Sequence, residues 1–239
     1  MHFSKNWRFA VVMVFSVLLL LLTSRIGRAQ SGYLPNSAIT FNNLPVGMIS
    51  SAFTEAERTV IWQGFHHAEN MLGSSRARII SCSRKYTTRA TYIESREPST
   101  RSAADNAETA IALISQVMPR NQIGGRRQRV LVDRINEQSN VLGRAIVALN
   151  EGQAGGYLGT DLRISLNAHN LTRFSDAATW GGIILHEILH NVGGTHPGRN
   201  SSDYVGSLVY EIGWCVEREG ADKSFGLTGN DGIGGAIAE

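Results

Sequence analysis

The sequence predicts an α+β fold on three observations. Apolar residues recur at helical spacing in several stretches, with strand-like runs between them. The resulting order of helix, strands, helix, strands, helix, helix lacks the strict alternation of a doubly wound sheet. The composition is that of a packed domain, with 42% hydrophobic, 18% charged and 8% aromatic residues in 239. That profile excludes a disordered tail, a collagen-like repeat and a coiled-coil rod.

Residues 1–29 read as an export signal. Lys5 and Arg8 precede an apolar run, Phe9 to Leu22, broken only by Ser16. Its 14 residues fall short of the roughly 20 needed to span a bilayer as a helix, which disfavours the alternative of a retained anchor. Gly27 and Ala29 suit cleavage before Gln30. The net charge of +3 belongs to this leader. It holds four of the 23 basic residues and none of the 20 acidic ones, leaving 19 against 20. The basic balance therefore gives no reason to expect nucleic acid as a partner.

The expected domain covers residues 30–239, with 30–50 either a short pro-segment or a first strand with its loops (Ala38 to Phe41 is strand-like). Thr54-Glu55-Ala56-Glu57 has the form of a capping box. Val60, Ile61, Phe65, Ala68, Met71 and Leu72 then follow at helical spacing. His66 and His67 on this helix point about 100° apart and read as surface or core-edge residues rather than ligands of one ion. Arg78 to Ser81 reads as a strand, and the basic stretch from Arg84 to Arg101 as a solvated loop or a charge-protected edge. A helix is expected over Ala103 to Met118, short strands near Val130 to Val132 and Ala145 to Leu149, and a half-buried strand over Tyr157 to Asn167. Helices over Asp176 to Val192 and Asp203 to Val216 complete the order, the last with a stripe of Tyr204, Leu208, Ile212 and Cys215. Gly226 to Glu239 is glycine-rich and expected to be loosely held.

An even pair of cysteines in an exported chain, Cys82 and Cys215, is most simply a disulfide; a thiolate ligand or a latency switch is the alternative. Asn170-Leu171-Thr172 and Asn200-Ser201-Ser202 fit the glycosylation acceptor pattern, which matters only for a eukaryotic source.

The chemistry is concentrated in His186-Glu187-Ile188-Leu189-His190-Asn191-Val192-Gly193-Gly194-Thr195-His196. Positions i and i+4 of a helix share a face, so His186 and His190 can reach one ion. Glu187 is rotated from that line and can reach a water on the ion without ligating it. Gly193 can end the helix with a left-handed residue, and the returning chain can then bring His196 as third ligand. Neutral imidazoles favour zinc over calcium or magnesium. Three protein ligands leave a position open for water, unlike the usual four-ligand structural site. The expected chemistry is hydrolysis of an amide, with Glu187 as proton acceptor. The bland alternative is three histidines satisfied by core hydrogen bonds.

This pattern resembles the metzincin clan of zinc endopeptidases, and His196-Pro197 is like its serralysin-type members. The resemblance covers 11 residues. It implies a metzincin-like zincin: a twisted mixed β-sheet, an active-site helix, a C-terminal helix and a horizontal cleft. It also implies that the strand over Tyr157 to Asn167 pairs with an extended substrate. In some metzincins a tyrosine stabilises the developing oxyanion, and Tyr204 and Tyr210 are the candidates. Asp203 is expected to cap the last helix, or else to orient an imidazole. One departure is clear: metzincins carry a methionine in a turn after the third histidine, and none of the five methionines here follows His196. Ser207-Leu208-Val209-Tyr210 is weakly similar to the matrixin turn, with Val209 in the methionine's place; a helix through this segment, flooring the site, is the expectation.

The chain is thus expected to be a secreted or periplasmic zinc metalloendopeptidase. It would act as a monomer on protein or peptide substrates, without nucleic acid and without stable membrane association once the signal is removed. The alternatives are a non-catalytic zinc-binding module and a hydrolase of cell-wall peptide amides.

Overall fold

A strand needs a partner on each side or a reason to be an edge, and the short apolar runs of this chain find theirs in one sheet. The computed structural model describes residues 32–35, 41–88, 102–120, 129–145, 161–196, 201 and 204–220. By contacts the chain divides after Tyr33, and the candidate site lies in the unit Leu34–Glu239. The strands are β1 (Tyr33–Pro35), β2 (Val46–Ser50), β3 (Arg129–Ile135), β4 (Gly143–Ala145) and β5 (Leu162–Asn167). The helices are α1 (Glu55–Ser74), α2 (Arg76–Tyr86), α3 (Ala103–Arg120), α4 (Ala168–Leu171), α5 (Ala177–Asn191) and α6 (Leu208–Glu217). The fold is α+β, with an open mixed sheet in the order β1-β2-β3-β5-β4.

Register explains how the sheet presents its apolar face. β3 pairs in parallel with β2 and β5, placing Gly47 opposite Val130, Val130 opposite Leu162 and Val132 opposite Ile164. Alternate residues share a face, so Val130, Val132, Leu162, Ile164 and Leu166 form one buried surface. Phe65 of α1 packs on that face over Gly47, where an added Cβ would meet its ring at 3.1 Å. α5 packs against α1 on one side and α6 on the other. Glycines permit the close approach. A Cβ on Gly64 would lie 2.8 Å from Trp180 Cβ, and one on Gly213 would lie 2.9 Å from the Gly182 carbonyl.

Most expected elements are present. Thr54 and Glu57 form the reciprocal cap of α1, with Glu57 N–H donating to Thr54 Oγ1 at 3.2 Å and Thr54 N–H to Glu57 Oε2 at 2.7 Å. Ile61, Phe65, Ala68 and Leu72 are fully buried, with Val60 and Met71 packed against the core. On α3, Ala107, Ala110, Ile111 and Ile114 are buried. Cys82 of α2 and Cys215 of α6 form a disulfide, with Cα atoms 6.0 Å apart. His66 is exposed, and His67 is half-buried with Nε2 2.9 Å from the Val216 carbonyl.

Four expectations are corrected. Arg78 to Ser81 lies in helix α2 rather than a strand. Ile79, Cys82 and Ser83 are its buried residues, which is helical spacing. The strand expected over Tyr157 to Asn167 is β5, an interior strand; the sheet ends instead at β4, antiparallel to it. The last helix starts at Leu208 rather than Asp203, because Gly206 takes a left-handed φ of 93° and Ser207 stands at the N-cap. Asn170 is fully buried, with Nδ2 donating to the Ser139 and Val141 carbonyls, so it offers no surface acceptor for a glycan.

Several expectations lie outside the described residues: the signal at 1–29, the run at 38–40, Arg89, Arg96 and Arg101, residues 146–149 and 157–160, Asn200, Asp203 and the tail from Gly226. Among the described residues, no helix is long and apolar enough to cross a membrane.

Candidate metal centre

Two turns position the site, one at each end of α5. At its start the Asp176 side chain accepts from Thr179 N–H at 2.9 Å, capping the helix. At its end the Gly194 N–H donates to the Leu189 carbonyl at 2.9 Å and the Gly193 N–H to His190 at 3.2 Å. Gly193 has φ 99°. These are the six-to-one and five-to-two bonds of a Schellman cap, with glycine at the left-handed position. The reversal carries the chain back over the last turn and delivers His196.

The expected ligands are brought together. His186 and His190 Nε2 lie 3.0 Å apart, and His196 Nε2 lies 3.0 Å from His186 Nε2. Among the described residues this is the one group of three or more such side chains that could hold a metal ion. The chemistry of the donor set fits an ion. His190 Nδ1 lies 2.9 Å from the Gly194 carbonyl. A carbonyl can only accept, so Nδ1 carries the proton and Nε2 presents a lone pair inward. His186 Nδ1 is buried without a hydrogen-bond partner of normal geometry, so nothing at Nδ1 prevents the ring from carrying its proton there and presenting Nε2 as a donor atom. With His186 protonated at Nδ1, its Nε2 lone pair would face that of His190 at 3.0 Å, an arrangement that a cation between them satisfies. Nitrogens about 2.1 Å from one tetrahedral ion stand about 3.4 Å apart, so a small spreading of the rings completes the fit.

The electrostatics agree. Burial pushes His186 well below the ordinary histidine value, and positive charge on His190 and His196 would push it further; the Val209 backbone opposes this. Burial likewise lowers His190 to about 4, aided by His196 and opposed by the Gly194 carbonyl. Both rings are therefore neutral near pH 7, the state in which imidazole ligates.

Glu187 is 3% exposed and faces edge strand β4. A Cβ on Gly143 would lie 3.0 Å from both its Cγ and its Oε1. The Tyr204 ring packs edge-on against His196, with centroids 4.7 Å apart, and the Tyr210 ring lies 5.1 Å behind Tyr204. Both are buried. Val209 opens α6 one residue in, and its Cγ2 would meet a Cβ on Gly194 at 2.8 Å. A helix does run through the segment, as expected, with Val209 lying against the turn that carries the histidines. Cys82 and Cys215 are consumed by their disulfide and are no ligands.

Sequence reasoning missed Gly143, Gly194 and Asn191. A glycine in a strand does signal close approach, but β4 is too short to be recognised as a strand. Nothing flagged Asn191, whose role depends on a contact far along the chain. No family model, curated protein or solved structure matches this chain.

Proposed function

We propose that the protein is an exported zinc endopeptidase that hydrolyses peptide bonds in extended protein substrates. The observation that carries this reading is the convergence of His186, His190 and His196, with Glu187 on the intervening helical turn. Three imidazole nitrogens that converge within ligand distance suit zinc, and three protein ligands leave room for water and substrate. A zinc ion there would polarise the scissile carbonyl and acidify a bound water.

The chain's own residues supply the rest. Glu187 takes a proton from the attacking water and returns it to the leaving amine. Tyr204, packed on His196, donates a hydrogen bond from its hydroxyl to the developing oxyanion, and Tyr210 packs against the Tyr204 ring. An extended substrate adds to the sheet along β4, the edge on which Gly143 faces Glu187. The disulfide fits an extracytoplasmic compartment.

The test is cleavage of an unfolded casein-like protein, compared with cell-wall peptide fragments, before and after exhaustive chelation and after zinc is restored. Zinc-dependent cleavage of the protein substrate is the expected result. Turnover restricted to cell-wall fragments would reassign the substrate, and turnover that survives chelation would overturn the reading.

A further inference from the structure

Asn191 follows the second histidine and is fully buried. Its carboxamide makes three hydrogen bonds. Oδ1 accepts from Arg163 N–H at 3.0 Å, while Nδ2 donates to the Arg163 carbonyl at 3.0 Å and to the Glu187 carbonyl at 3.0 Å. The assignment of oxygen and nitrogen is forced, because an N–H must meet the oxygen and carbonyls must meet the nitrogen.

Arg163 belongs to β5. The main-chain groups of alternate strand residues point to the same side, and Asn167 N–H, four residues on, donates to Leu142 beside β4. Arg163 therefore turns both groups toward the β4 side. The last described pair on that side is Ala145 with Ile164. At the next residue of β5, Arg163, the side chain of Asn191 on the helix meets both main-chain groups.

Resting on the metallopeptidase reading, we infer that Asn191 is a positioning residue for Glu187. It ties the helical turn from Glu187 to Asn191 onto β5, the strand that also carries Gly143 opposite Leu166. Helix and edge strand thus share one reference, and the Glu187 carboxylate is held against Gly143. Asn191 touches no reacting atom; it acts through the placement of the carboxylate.

The test compares Asn191→Asp and Asn191→Ala in the full chain, alone and combined with Glu187→Ala. Asn191→Asp keeps the acceptor for Arg163 N–H and replaces the two amide donors by at most one. A reversible urea transition of each variant confirms that it is folded before its kcat is compared. The readouts are zinc stoichiometry, kcat and KM on a peptide, and calorimetric binding of a peptide hydroxamate, whose hydroxyl needs a carboxylate acceptor. Expected are one zinc per chain, unchanged KM, kcat reduced about 10- to 100-fold and hydroxamate binding weakened about tenfold. In the Glu187→Ala background Asn191→Asp should have no further effect, since the group it positions is gone. Equal losses in both backgrounds, loss of zinc, or wild-type kcat in Asn191→Asp would overturn the inference. A wild-type chain that takes up no zinc would overturn the metallopeptidase reading itself, and this inference with it.

Discussion

Gly143 of β4 lies so close to Glu187 that a β-carbon on the glycine would stand 3.0 Å from the carboxylate oxygen Oε1. The glycine is there for space and not for backbone freedom. Gly143→Ala should displace the carboxylate by a fraction of an ångström. Turnover should fall about 10- to 100-fold, with zinc still bound. Steady-state kinetics and metal analysis of the purified variant check this, and wild-type kcat would show that Glu187 needs no fixed position.

Metal removal should act on stability as well as turnover. The three imidazoles converge only in the folded chain, so an ion held there at about 1,000 times its Kd should add roughly 4 kcal/mol. We expect chelation to lower Tm by several degrees and zinc to restore it; His190→Ala should show the low Tm with or without zinc. An identical Tm in chelated and zinc-loaded protein would remove the metal centre from the account.

The disulfide joins residues 133 apart in sequence. In the chain-entropy model so long a loop contributes about 4–5 kcal/mol. The Cys82→Ala, Cys215→Ala double variant should lose a stability of that order in urea titrations. A loss under about 1 kcal/mol would mean that the unoxidised chain already holds α2 against α6.

Acid should weaken the join between α1 and the sheet. Glu57 Oε1 accepts from Arg134 Nη2 at 3.0 Å. Burial alone would raise the Glu57 carboxyl, but the hydrogen bonds from Arg134 and Thr54 and the arginine's charge outweigh it, and the net value lies below the ordinary 4.5. A depressed folded pKa stabilises fully above the unfolded value and is lost as pH falls through the folded one. The urea midpoint should therefore drop between about pH 6 and pH 3, and Glu57→Gln should flatten that slope. A variant with the parent's full acid sensitivity would place the effect elsewhere.

Legibility in the sequence followed locality. The α1 cap, the core stripes of α1 and α3, and the histidine turn at Gly193 rest on neighbours within one or two turns, and all were readable. The metal group was readable for the same reason, since its three histidines fall within eleven residues. What could not be read depends on distant partners. Ile79 and Ile80 alone look like a strand fragment, and only packing on Ile79 and Cys82 makes α2 a helix. The edge strand, Gly-Arg-Ala, has no alternation to betray it, whereas the longer β5 does. Buried Tyr204 continues the stripe of α6 in the sequence, while the left-handed Gly206 keeps the helix from starting before Leu208. Asn191 and Gly143 acquire meaning only through Arg163 and Glu187.

Gly213 of α6 would, with a β-carbon, stand 3.3 Å from the β-carbon of His186, and the cross-linked Cys215 follows two residues later. The covalent tether and the ion-binding face are thus two surfaces of a single helix wall. The cross-link and the three-histidine cluster are for that reason mechanically joined: reducing the disulfide would leave the helix behind His186 without its covalent anchor.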